Sequence, residues 1–194
     1  KKTVNQYFWF LCPICERIIR AYGKERAARE FILSWWNWVR EKYNLDIELE
    51  VRDVVVPMDY KTHERFKKEK TPLPDFVGIQ DGEIIFNVEM KTGSGDITSM
   101  REFQLDVSDC DDIISFMSRE EYRVPTFLLH VQVVEDYLPP TVRNVALNAW
   151  WASTYDLERH YRRIALRRRE RRPAVYFSKQ AFKTLDLFVK YILG

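Results

Sequence analysis

The sequence contains little that would mark a membrane protein or a secreted protein. It has no run of eighteen apolar residues, which is about the length that a membrane-spanning helix requires, and it has no signal-like start. Its 3 cysteines fit the reduced thiols of a cytosolic protein. We therefore expect a soluble, intracellular, cytoplasmic protein without a membrane partner.

A large net charge is also absent. The chain has 31 lysines and arginines against 29 aspartates and glutamates, which gives a net charge of +2. Affinity for nucleic acid would therefore have to come from clustered charge. The 194 residues fit one α/β domain with a substantial core, and we treat 1–194 as a single domain. The first residue is not Met, which leaves open whether other residues precede it.

Residues 74–91 predict a β-hairpin that carries a carboxylate at each end. Side chains alternate along a strand, so Glu89 and Lys91 project from the same face. A two-residue turn would place Asp75 on the other face. A three-residue loop over 80–82 would place Asp75 opposite Asn87 on the shared face, and we predict this register.

These three side chains suit phosphodiester hydrolysis. Asp75 and Glu89 would hold Mg²⁺ or Mn²⁺, which lowers the pKa of a bound water and offsets negative charge. Lys91 would orient or deprotonate that water, or hold the phosphate. The alternative is an ordinary surface strand after a turn, but the apolar run over 84–86 indicates a buried strand, where Glu and Lys are uncommon.

The pattern Pro74-Asp75 followed by Glu89-Met90-Lys91 resembles the PD-(D/E)XK nuclease superfamily. That superfamily includes restriction endonucleases, Holliday-junction resolvases and RecB-like nucleases. The order of predicted elements over about 24–134 is similar to its core. The resemblance implies an α/β, restriction endonuclease-like fold with a central mixed β-sheet flanked by helices, and the metal and lysine roles given above.

The resemblance suggests further site residues on two predicted helices. The first helix covers 24–43, and Glu30 is its candidate metal-supporting residue, with Glu25 as second choice. The second helix covers 98–119, and Gln104 is its candidate polar residue near the metal. The alternative for both glutamates is the solvated face of an amphipathic helix.

Beyond Pro139-Pro140 we predict a basic extension over about 139–194, with one helix over 141–171, a strand over 174–177 and a last helix over 179–193. Arginine side chains pair with phosphates, so the basic end of this helix is a candidate DNA clamp. The alternative is a solvated helix end. The candidate DNA-binding residues are Arg162, Arg163, Arg167, Arg168, Arg169, Arg171 and Arg172.

Cys12 and Cys15 have the spacing of half a zinc knuckle. A tetrahedral zinc site needs two more ligands, and the remaining Cys and His residues do not form a second pair. Structural Zn²⁺ and reduced thiols are the two interpretations.

The sequence thus predicts a divalent-metal-dependent DNA nuclease. A homodimer is compatible with it, because cleavage of both strands of a duplex needs two sites. The rival hypothesis is a non-catalytic nucleic-acid-binding or assembly protein that keeps the nuclease fold. A third is a viral or mobile-element protein whose arginines serve RNA or a protein partner.

Overall fold

The structure, a computed structural model, describes residues 13–53, 71–138, 141–167 and 172–194. The helices in these ranges are α1 (Pro13–Tyr43), α2 (Val107–Met117), α3 (Thr154–Arg159) and α4 (Leu185–Leu193). The strands are β1 (Glu48–Val51), β2 (Phe76–Gln80), β3 (Glu83–Gly93), β4 (Glu102–Asp106), β5 (Thr126–Leu138), β6 (Thr141–Ser153), β7 (Tyr161–Leu166), β8 (Pro173–Ser178) and β9 (Lys183–Thr184).

The strands form two sheets. The main sheet has six strands in the order β1-β2-β3-β5-β6-β9. Strands β3 and β5 are parallel, and the other neighbours are antiparallel. A smaller antiparallel sheet has the order β4-β8-β7. The predicted fold class, an α/β architecture with a central mixed sheet flanked by helices, is confirmed.

Helix α1 covers one face of the main sheet because its apolar residues form a stripe. Ala28, Ile32, Trp36 and Val39 are buried and follow the spacing of a helix face. The Trp36 indole Nε1 donates a hydrogen bond to the Ile47 carbonyl at 3.0 Å. Phe188 of α4 joins the same core and packs edge-on against Trp36.

The opposite face of the main sheet is covered by the smaller sheet. Phe103 and Leu105 of β4 and Phe177 of β8 are buried with Leu128 and Trp150 of the main sheet. Helix α2 packs separately beside β2, where Phe116 lies in a third apolar cluster. The site residues therefore lie at the end of β3 on the side of β4 and α2.

Two predicted helices are wrong. The segment predicted as a helix over 98–119 forms β4 before α2 begins at Val107, because Phe103 and Leu105 alternate and bury themselves against β8. The predicted basic helix over 141–171 consists of β6, α3 and β7. Strand β6 pairs with β5 along its whole length and so belongs to the main sheet.

Candidate active site

The β2–β3 hairpin differs from the predicted register. Gln80 pairs with Glu83, so the turn contains only Asp81 and Gly82. Both turn residues adopt left-handed φ angles, of 52° and 81°, which suit a two-residue hairpin turn. The predicted three-residue loop is therefore wrong.

A bulge nevertheless places Asp75 on the predicted face. The register shifts between Gly78 and Ile79, so Phe76 pairs with Val88. Because Asp75 precedes Phe76 and Glu89 follows Val88, the two acids are next to each other across the strands. The extra residue of the bulge therefore turns Asp75 to the same face of the sheet as Glu89 and Lys91, which we had expected from a three-residue loop. The cross-strand neighbour of Asp75 is Glu89 and not Asn87.

Asp75 is held in place by backbone contacts. The residue is 8% exposed, and its Oδ2 accepts a hydrogen bond from the Met90 N–H at 2.6 Å. Its carbonyl accepts a hydrogen bond from the Arg52 N–H at 3.0 Å. The carboxylate is therefore fixed against the middle residue of the Glu89-Met90-Lys91 triplet.

Glu89 and Lys91 are in direct contact. Lys91 Nζ lies 2.7 Å from Glu89 Oε1 and 3.4 Å from Asp109 Oδ1. Asp109 belongs to the first turn of α2. One ammonium group therefore connects β3 with the start of α2.

Burial makes the two strand acids costly to ionise, and a neighbouring charge adds to this cost for Glu89. Burial raises the pKa of Asp75. Burial, followed by the nearby charge of Asp75, raises the pKa of Glu89 to about 8. Burial alone would lower the pKa of Lys91, but the carboxylates of Glu89, Asp109 and Asp75 outweigh it, so the pKa of Lys91 is raised and its ammonium stays charged.

These residues line a cavity of about 530 Å³, here called the acidic cleft. Lys91 is its single lysine or arginine among the residues that the structure describes. Its acidic lining residues are Glu25, Asp53, Asp75, Glu89, Asp109 and Asp112. Carboxylate oxygens are the ligands that a hard cation prefers, although no three of these described residues are arranged together as a metal-binding group.

Helix α1 contributes Glu25 to the acidic cleft, whereas Glu30 lies outside its lining. Glu30 is exposed and forms an ion pair with Arg26 at 2.9 Å. Arg29 holds Glu25 in place, with Nη2 at 2.9 Å from Oε1 and at 2.9 Å from the Asp53 carbonyl oxygen. The structure therefore brings Glu25, and not Glu30, to the cleft that Asp75 and Glu89 line.

A second cavity of about 620 Å³, here called the mixed cavity, adjoins the acidic cleft. Both are lined by Lys91, Thr92 and Asp109. Gln104 lines the mixed cavity from β4 and not the acidic cleft. The polar residue predicted near the metal therefore lies next to the site, on a strand and not on a helix.

The arginine-rich segment lies beside the mixed cavity. Arg162 and Arg163 are exposed on β7, Arg167 lines the mixed cavity, and Arg172 is exposed just before β8. The Arg167 N–H donates to the Arg172 carbonyl at 2.9 Å, which closes the connection between the two strands. Three of the predicted arginines lie outside the described residues: Arg168, Arg169 and Arg171.

The zinc prediction concerns the start of the chain. Cys12 lies outside the described residues, and Cys15 lies in the first turns of α1, where side chains are not described. In the described parts of the chain, no group of three or more His, Cys, Asp and Glu residues is arranged to hold a metal ion. The helices described there include none long and apolar enough to cross a membrane.

Sequence reasoning missed Asp109, which contacts Lys91 from α2. The helix that carries Asp109 begins directly after β4 ends at Asp106, and no Gly or Pro marks that boundary in the sequence. The prediction of one continuous helix over 98–119 concealed that boundary.

No protein-family model matches the chain, and no curated protein matches it. Among solved structures, the chain is similar to Hjc, a Holliday junction resolvase from the archaeal hyperthermophile Archaeoglobus fulgidus. The match has 8% sequence identity and a TM-score of 0.45, and it covers 86% of this chain and 95% of that chain. A likeness of this degree establishes neither the family nor the activity of the chain.

Proposed function

We propose that the chain is a divalent-metal-dependent DNA nuclease that hydrolyses phosphodiester bonds in the acidic cleft. The observation that carries the proposal is the convergence of buried Asp75 and Glu89 with a charged Lys91. Buried acids and lysines are rare without a function or a partner.

The donor set fits Mg²⁺ or Mn²⁺. Mg²⁺ is commonly bound through one or two carboxylates, together with waters and substrate phosphates, so Asp75 and Glu89 suffice as protein ligands. Burial raises the pKa of both acids, and the charge of Asp75 raises the pKa of Glu89 further, so a bound cation would favour their ionised forms. When bound, the metal would lower the pKa of a water and offset the charge of the phosphate.

Lys91 acts as a cation and a donor in this proposal. Its pKa is raised, so without a bound metal Lys91 keeps its proton at neutral pH and does not act as a base. Its ammonium can orient the attacking water or steady the scissile phosphate. Glu89 and Asp109 keep that ammonium at the boundary between the acidic cleft and the mixed cavity.

The arginine-rich strand supplies a surface for DNA. Arg162 and Arg172 are exposed, and Arg167 lies at the mixed cavity. Guanidinium groups pair with phosphates and fix the orientation of a strand without reading its sequence. Homodimerisation and a cytoplasmic location stay predictions.

The test is cleavage of supercoiled, linear, single-stranded and branched DNA, and of RNA, in Mg²⁺ or Mn²⁺. We expect wild-type cleavage of DNA, and its loss in Lys91→Ala and Asp75→Asn. Glu83→Gln is the matched control, because Glu83 is exposed at the other end of β3. Cleavage that survives both site substitutions would refute the proposal.

The non-catalytic alternative has one observation in its favour. Lys91 is already satisfied by Glu89 and Asp109, so the protein itself balances part of the charge of the cluster. A nucleic-acid-binding or assembly protein could keep such a cluster for stability. Calorimetry with Mg²⁺ and Mn²⁺ distinguishes the two, because only the nuclease requires metal binding that Asp75→Asn weakens.

A further inference from the structure

The mixed cavity differs in chemistry from the acidic cleft that it adjoins. Its described lining contains acidic and basic residues together, and each acidic one has a cationic partner. Glu102 binds Arg163 through both carboxylate oxygens, at 2.7 and 2.8 Å. Asp106 lies 3.2 Å from Arg167 Nε, and Asp109 lies 3.4 Å from Lys91 Nζ. The cavity therefore offers polar groups with little excess of either charge.

A polar and aromatic row crosses the smaller sheet at this cavity. Tyr176 of β8 pairs with Gln104 of β4 on one side and with Arg163 of β7 on the other. The Arg163 guanidinium lies over the Tyr176 ring, with Cζ 4.6 Å from the ring centroid. Tyr176 is half-buried and Gln104 is exposed, and both line the cavity.

Such a row suits a heterocyclic base. Aromatic rings and guanidinium planes stack with bases of any sequence. An exposed amide both donates and accepts hydrogen bonds, which the edge of an unpaired base also does. The volume of about 620 Å³ lies within the usual range for small-ligand sites.

We propose that the mixed cavity receives one unpaired nucleotide of a DNA strand, next to the phosphodiester held at Lys91. This inference rests on the proposed nuclease function, and it specifies the substrate class. The shared residues Lys91, Thr92 and Asp109 place the cavity directly beside the acidic cleft, so a strand that crosses this boundary has its next nucleotide in the mixed cavity. A base stacked within a duplex cannot enter, because it must first leave the stack.

The proposal is tested by binding in EDTA, without cleavage. The probes are two fluorescent hairpin DNAs that differ by one unpaired thymidine. We expect wild type to bind the probe with the unpaired thymidine about tenfold more tightly than the paired probe, which is within the range for one stacked base. Tyr176→Ala and Gln104→Ala should lose this preference while keeping their affinity for the paired probe.

Two controls separate stacking from loss of folding. Tyr176→Phe keeps the ring and should keep the preference. Tyr155→Ala removes an exposed tyrosine that also contacts an arginine, Arg159, outside the lining of the cavity, and should likewise keep the preference. If thermal melting shows that Tyr176→Ala is unfolded, Gln104→Ala decides, because its side chain is exposed.

The outcomes distinguish this proposal from the nuclease proposal. Equal wild-type affinity for the two probes, or a preference that survives Gln104→Ala, overturns the nucleotide site even if Mg²⁺-dependent cleavage is found. A preference that Gln104→Ala removes supports the site even if no DNA is cleaved. Tighter wild-type binding of the corresponding RNA hairpin overturns the assignment to DNA.

Discussion

Asp109 connects α2 with the lysine of the proposed active site. It holds Lys91 from α2, at 3.4 Å, while Glu89 holds the same ammonium from within β3. Without the charge of Asp109, only Glu89 would hold the Lys91 ammonium, and its position would change. Because a displaced catalytic group slows the reaction more than it weakens substrate binding, Asp109 should affect kcat more than KM.

We predict that Asp109→Asn lowers kcat for DNA cleavage by about tenfold or more, with KM nearly unchanged. Asp109→Glu should recover part of the loss, because it restores the charge. The matched control is Asp111→Asn, which alters an exposed acid on the same helix and should leave both constants unchanged. A rise in KM at constant kcat would contradict a positioning role. Steady-state kinetics on one labelled substrate measure both constants.

His130 provides a prediction about pH and stability. It is buried on β5, its Nε2 lies 3.0 Å from the Gly95 carbonyl oxygen, and its Nδ1 has no hydrogen-bond partner among the described residues. Burial lowers the pKa of His130, although the Gly95 carbonyl and the charge of Asp96 oppose this effect. The unfolded chain should therefore take up a proton near pH 6.5, where the folded chain resists it.

The stability that neutral His130 contributes is complete above pH 6.5 and is lost as the pH falls through 6.5 toward the folded-state pKa. The contribution of His130 to the free energy of unfolding should fall there by up to about 1.4 kcal/mol per pH unit. His130→Gln should remove this component, whereas His160→Gln should keep it. Urea denaturation between pH 5 and 8, roughly the range in which histidine titrates, measures the difference. Identical slopes in wild type and His130→Gln would contradict the prediction.

Among the elements, the β2–β3 hairpin shows how far the sequence predicts the site. Alternation and the carboxylates at its ends predicted two paired strands with Glu89 and Lys91 on one face, and the structure has them so. The predicted turn and register were wrong. The turn is one residue shorter than predicted, and a bulge beside Gly78 adds one residue to β2, so Asp75 still lies on the predicted face. A bulge leaves no periodic signal in the sequence.

The misassigned helices have a different cause. Neither 98–119 nor 141–171 contains Gly or Pro, so no breaker marks the ends of β4, β6 or β7. The second segment is also rich in Arg, Ala and Leu, which favour helices. Pairing with β5 and β8 overrides that local preference, and such long-range pairing cannot be read from spacing.

We predict that Gly78→Ala destabilises the hairpin. A Cβ at Gly78 would lie 2.3 Å from ring atoms of Phe86, which is buried and packs edge-on against Trp36 and Phe188. The ring cannot move without disturbing the core, so the expected cost is about 1 to 3 kcal/mol in the free energy of unfolding.

Chemical denaturation measures this cost, and the same hairpin offers a control. Gly82→Asn tests a turn position with φ 81° and no atom within 4 Å of the added Cβ, and asparagine tolerates that conformation. Its stability should stay within about 0.5 kcal/mol of wild type. Equal stability of wild type and Gly78→Ala would show that Phe86 moves freely.

At the scale of the whole molecule, the charges are separated although the net charge is only +2. The carboxylates gather in the acidic cleft, and exposed arginines lie along β7 and in the connection to β8. The arginines would attract a phosphate backbone. The carboxylates of the acidic cleft would repel it until a bound cation neutralises them. Binding and cleavage should therefore respond to different ions, monovalent salt for the first and divalent metal for the second.

This separation predicts the salt dependence of DNA binding. Each phosphate neutralised by an arginine contributes about 0.9 to the slope of log affinity against log salt concentration. Arg162→Ala and Arg172→Ala should each lower that slope by about 1, because both side chains are exposed in the arginine-rich segment. Arg26→Ala is the control, because Arg26 is exposed on α1 and paired with Glu30, away from this surface. Fluorescence anisotropy titrations in EDTA at several salt concentrations give the slopes. A slope reduced equally by all three substitutions would mean that DNA binds by overall charge and not at the arginine-rich strand.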